Sequence, residues 1–172
     1  MAALGMVSTY YSYMYVDKIW AFYAFFLVIM QLIHYFAYIL IDDCDNYYNK
    51  ALSYVNYTHV SFQPLFYLIA HYALFKRYKI ITKAQLKSLK LLISISLVAC
   101  IMFFMRIFPI RIGNNGFEVL HDGCAFCGET CSFQGKRHVD FKLPLRTRPY
   151  YFTPSVFFHF MLFFIPFLFF NK

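Results

Sequence analysis

From Ile19 to Ile41 the chain carries no charged residue. A helix needs about 20 predominantly apolar residues to cross the hydrocarbon of a bilayer, where an unpaired backbone group costs several kcal/mol and a helix satisfies its own. Three further stretches have this character. Val60–Ile81 is apolar as far as Phe75, before Lys76, Arg77 and Lys79; Ser88–Phe108 has Lys90 and Arg106 near its ends, where cationic stems reach the interface; Tyr150–Phe170 has no charge. The expected fold is an all-α polytopic transmembrane bundle of about four helices, forming a single integral membrane domain over residues 1–172. Its spans fall at about 19–41, 60–81, 88–108 and 150–170, with a Cys- and Gly-rich loop at 109–149.

Charged residues make up 14% of the chain, well below the roughly 25% of soluble domains. The abundant Phe and Tyr do not fall in the alternating ten-residue segments of an outer-membrane barrel, so helices are the expected spanning element. The net charge of +8 lies in short basic blocks beside apolar runs, which suits a membrane surface; no nucleic acid is expected as a partner. Met1–Val16 lacks a basic n-region, so no secretory signal is expected and the first span is retained. The connection Lys76–Lys90 has six cations and no acid, whereas Asp42, Asp43 and Asp45 follow the first span. By the positive-inside rule the basic connection faces the cytoplasm, with both termini, and the acid cluster and the 109–149 loop lie outside.

Polar residues in the first span fall at Gln31, His34, Tyr38, Asp42 and Asp45, with Asn49 beyond, on one face of a helix. On the second span His59, Gln63, Tyr67 and His71 recur every four residues. With a short connection near Ala51–Asn56, an antiparallel hairpin would set Asp42 against Gln63, Tyr38 against Tyr67, His34 against His71 and Asp45 against His59. A central Asp in hydrocarbon costs about 2.5–3.5 kcal/mol, so mutual pairing is expected. Three readings of this cluster stay open: interhelical hydrogen bonding, a buried site in which Asp42, Asp45 and His59 hold a divalent cation or act on a lipid, and an ion or proton path. His159, on the fourth span, is expected to pack as a core histidine.

HDGCAFCGETCSFQGKRH, His121–His138, is the most unusual local sequence. Cys124, Cys127 and Cys131, flanked by His121 and His138, supply ligand types for a structural zinc in the 121–138 loop. The alternatives are a disulfide between two of the three cysteines, stapling a small loop in an oxidising compartment, and unreacted thiols. Cys100 lies in an apolar span and is expected to pack. Asn56-Tyr57-Thr58 matches a glycosylation acceptor on the expected outer side, though close to helix ends. Thr153 before Pro154 reads as the N-cap of the last span.

DDCDNYYNKALSYVNYTHVSFQPLF and CSFQGKRHVDFKLPLRTRPYYFTPSVFFHFMLFFIPFL, taken in order, resemble an uncharacterised family of small multi-pass membrane proteins known from large algal DNA viruses and some cellular genomes. The resemblance covers Gln31–Phe75 and Gly123–Phe170. It rests on Phe62-Gln63-Pro64, on Tyr151-Phe152-Thr153-Pro154, on the acid cluster and on His159. It implies a setting, the inner membrane of a large icosahedral virus, and no catalytic residues. The expected function is structural or anchoring, with the lipid bilayer and viral capsid proteins or other membrane proteins as partners, in a virion inner membrane or a host endomembrane. No phosphate-cradling, serine-nucleophile or dinucleotide motif is present, which favours a non-enzyme. The alternatives are a membrane-embedded metal-dependent lipid hydrolase, using Asp42, Asp45, His59, His71 and His159, and an ion or proton channel.

Overall fold

The computed structural model describes residues 2–107, 110–113, 116–119, 130–135, 139–143 and 156–169. The chain is mostly helical. Helix α1 (Ala2–Tyr11) passes through a π-helical turn, Ser12–Val16, into α2 (Lys18–Ile39); α3 (Tyr47–Tyr78) and α4 (Lys83–Phe104) follow. Two antiparallel hairpins come next, β1 (Ile110–Gly113) with β2 (Gly116–Val119) and β3 (Cys131–Gln134) with β4 (Val139–Lys142). Helix α5 (Val156–Phe164) continues as a 3₁₀ turn to Phe169.

The helix ends follow from local chemistry. Asp17 is extended and its Oδ1 accepts the Ile19 amide at 2.8 Å, an N-cap for α2. Asn46 Oδ1 accepts the Tyr48 amide at 2.9 Å and starts α3. Thr82 and Gln85 form a reciprocal capping box on α4, with the Gln85 amide 3.3 Å from Thr82 Oγ1 and the Thr82 amide 2.9 Å from Gln85 Oε1. At the end of α3, Lys79 takes a left-handed φ of 51° while the Ile80 amide returns to the Phe75 carbonyl, which stops the helix.

Several expectations are corrected. The chain is mostly helical as expected, but among the described residues the expected 109–149 loop contains two short hairpins. Helix α3 begins at Tyr47 rather than near Val60, because the Asp/Asn-rich stretch is itself the turn and cap. Among the described residues, two helices are long and apolar enough to cross a membrane, Lys18–Ile39 and Lys83–Ile107. Helix α3 has the length, at 32 residues, but interrupts its apolar run with polar side chains; the apolar helix Phe157–Phe167 is shorter. Helix α1 has no counterpart among the expected elements.

By packing, the chain divides into two units. The first comprises Met1–Leu32, Val60–Ile101 and Pro154–Lys172. Its core is Leu68, Phe75, Leu89, Ala99 and Leu162. Here α2 and α3 run antiparallel through aromatic contacts, Trp20 on His71, Tyr23 on Tyr67, and Phe22 and Phe26 on Phe66. Helix α1 folds back along α2, and Gly5 lets it approach so closely that a Cβ there would lie 2.5 Å from Val28 Cγ2. The second unit comprises Ile33–His59 and Met102–Thr153, with Tyr57, Phe103 and Leu143 at its centre. The Tyr57 hydroxyl donates to the Phe103 carbonyl at 2.7 Å.

Candidate functional site

The second unit gathers polar side chains around the connection between α2 and α3. Asp42 adopts a left-handed φ of 62°, a conformation that short polar Asp and Asn side chains tolerate. Its amide donates to the Ser132 carbonyl at 3.1 Å, and its Oδ1 accepts the Gln134 amide at 3.1 Å. Asn49, fully buried one turn into α3, makes three bonds. Its Nδ2 donates to the carbonyls of Leu40 (2.7 Å) and Ser132 (3.1 Å), and its Oδ1 accepts the Ser132 amide at 2.6 Å. One side chain thus satisfies both backbone groups of Ser132, as a neighbouring strand residue would. An isolated two-stranded hairpin is marginal in water, so this second edge matters to β3 and β4.

Cys44 and Cys131 close the arrangement as a disulfide across 87 residues of sequence. This corrects the expected ligand set, because Cys131 is paired with Cys44 rather than with Cys124 or Cys127, and its sulfur is removed from zinc binding. His121, Cys124, Cys127 and His138 lie outside the described residues, as does Thr153. Sequence reasoning misses Cys44, although the expected topology puts it on the same side as the three loop cysteines.

The two polar stripes do not pair as expected. His34 Nε2 donates to Asn56 Oδ1 at 3.2 Å and its ring packs on Phe141, so its partner on α3 lies about four helical turns from His71. The reason is the connection, which is Leu40–Asn46 rather than Ala51–Asn56. Gln31, Tyr38, Asp42 and Asp45 are exposed, Gln63 and Tyr67 are half-buried, and His59, His71 and His159 are buried. His71 Nδ1 donates to its own helix at the Tyr67 carbonyl, 3.0 Å, within a ring of Trp20, Tyr67 and Phe75. Asn56 is buried inside α3, and Thr58 Oγ1 is bonded back to the Tyr54 carbonyl, so this acceptor motif is not presented on a loop.

His159 has a specific backbone partner. Pro64 has no N–H, so the carbonyl of Val60, four residues earlier in α3, loses its helical donor. His159 Nε2 donates to that carbonyl at 3.1 Å. The histidine of α5 therefore repairs the helix that the proline interrupts.

Among the described residues no three His, Cys, Asp or Glu side chains are grouped so as to hold a metal ion. The arrangement at Cys44, Asn49 and Ser132 is a clamp, built to hold a hairpin in place.

The chain belongs to a family of unknown function, DUF5765, whose profile matches residues 1–170. No curated protein and no solved structure matches it.

Proposed function

We propose that this chain is a multi-pass integral membrane protein with a structural, anchoring role, presenting its disulfide-tied hairpin to a protein partner on the oxidising side of the membrane. The observation that carries the reading is an inverted distribution of side chains on the long helices. Ser53, Ser61, Ser96, Ala37, Ala70, Asn49 and His71 are buried, while Phe22, Phe36, Ile39, Leu91, Val98 and Ile101 are exposed. Only 22% of the apolar window of α2 and 28% of that of α4 are covered by the protein. A core helix of a water-soluble domain buries its apolar face. In lipid, tails solvate Phe and Leu outside, and helices associate through small residues and hydrogen bonds.

Two independent features support one orientation. Disulfides persist in oxidising compartments, which favours that side for the Cys44 end of α2. Lys18 is at the other end of the same helix, and 22 residues extend about 33 Å, enough to cross. The cations of Lys76–Lys90 then fall on the reducing side, as the positive-inside rule requires. The anchoring role draws on the clamp, which makes the hairpin a fixed platform. The resemblance noted from the residues supplies a setting for it, a virion inner membrane with capsid proteins as the partner.

Fractionation tests the membrane part: the chain should stay in the pellet through alkaline carbonate and be released only by detergent. Release by carbonate alone would sink it. Co-purification with virus particles and capsid proteins tests the anchoring part. Recovery solely from cellular endomembranes, without a stable protein partner, would argue against it.

A further inference from the structure

Between α1 and α2 runs an apolar groove of about 500 Å³, within the range of small-ligand sites. Met6, Tyr10 and Tyr13 form one wall and Phe22 and Phe25 the other, with Lys18 at the end where the two helices join. The Lys18 ammonium lies 5.8 Å from the centre of the Tyr13 ring, which holds a cation at that end.

Lys18 is the one cation lining the groove, and the charge of the first unit as a whole is one-sided. Asp17 is the sole acid in the sequence of the first unit. Both its oxygens are used: Oδ1 caps α2, and Oδ2 pairs with Arg77 at 3.2 Å. Lys18, Lys76, Lys79, Lys83, Lys87 and Lys90 have no acid in that unit to neutralise them. An occupant with an apolar body and an anionic head complements both features, and the polar and apolar parts of the groove fall in the order such a molecule requires.

We infer that the α1/α2 groove is a binding site for one anionic phospholipid, its acyl chain along Met6, Phe22 and Phe25 and its phosphate at Lys18. The site rests on the membrane reading above. Cytoplasmic leaflets are rich in anionic lipid, and each cation near the surface adds about 1 kcal/mol, or about fivefold, to its attraction.

The test is native mass spectrometry of the detergent-purified full chain, offered equal amounts of phosphatidylglycerol and phosphatidylcholine with matched acyl chains. One phosphatidylglycerol should be retained in preference by about fivefold. Lys18→Glu should abolish the preference, and Lys83→Glu, an equal charge change away from the groove, should preserve it. If Lys18→Glu loses its helical circular dichroism, Lys18→Gln replaces it, with the same expectation. Equal retention of both lipids, or equal loss in the Lys18 and Lys83 variants, would overturn the site. A chain that needs detergent for extraction but shows no preference defeats this inference alone. A chain released without detergent defeats the membrane reading as well.

Discussion

His159 Nε2 donates a hydrogen bond to the carbonyl of Val60, the group that Pro64 deprives of its partner in α3. An interior proline costs a helix about 3 kcal/mol or more, in part through this lost bond, and a residue distant in sequence here restores a donor.

Replacing His159 by Phe should destabilise the chain by about 1–3 kcal/mol, since a buried carbonyl is left unsatisfied. Pro64→Ala should lessen that cost, because an alanine in place of the proline supplies the missing amide. Thermal unfolding of the four forms in detergent gives the coupling. Additive losses in the double variant would show that the two residues act separately.

Asn49→Ala should destabilise the second unit by about 2–3 kcal/mol, leaving the amide and carbonyl of Ser132 without their side-chain partner. Ser132→Ala should have the opposite character. Ser132 Oγ is buried with no hydrogen-bond partner among the described residues, so its removal should be neutral or stabilising. Chemical unfolding of both variants, followed by limited proteolysis of the 131–142 hairpin, separates the two effects.

Cys44→Ser should free Cys131 for alkylation, and Cys131→Ser should free Cys44, whereas neither reacts in the unreduced parent. Because the bond spans 87 residues, its loss should cost about 4.6 kcal/mol on the chain-entropy account. Mass-tagging of thiols with and without reductant reads the first outcome, and melting temperature the second.

Gly5→Val should disturb the approach of α1 to α2, since even a Cβ at this position would crowd Val28. Val28→Ala in the same chain should recover part of the lost stability. Cross-linking between cysteines placed at Thr9 and Phe25 should fall in Gly5→Val and return in the double variant.

The long apolar helices α2 and α4 can be read from the chain to within about five residues: charge at Asp17 and Lys18 marks the start of α2, whereas α4 begins at Lys83, ahead of the apolar run expected from Ser88, because the Thr82–Gln85 capping box starts the helix among the cations. The register of α2 against α3 cannot, because Asp42, Asp43 and Asp45 also fit the end of a helical stripe. The same residues carry a turn signal, and the left-handed Asp42 with the capping Asn46 shows that this signal prevails. Asn49 is visible as a continuation of the stripe, but its partner is not, since no local pattern links it to Ser132. The cystine is hidden for a similar reason. Spacing draws attention to Cys124, Cys127 and Cys131 together, whereas the pairing of Cys131 is fixed by which backbone reaches the α2–α3 connection.

The bond between Cys44 and Cys131 also has a consequence for how the molecule is made. It turns α3 and α4, with everything between, into a covalent ring from which α1 and α2 lead off at one end and α5 at the other. That ring cannot close until Cys131 has emerged beside Cys44, after both of its long helices have been synthesised. A cut in the basic connection Lys76–Lys90 would open the ring without releasing a fragment. The cystine can therefore close only after the residues of α3 and α4 have been synthesised, and its closure does not require α5.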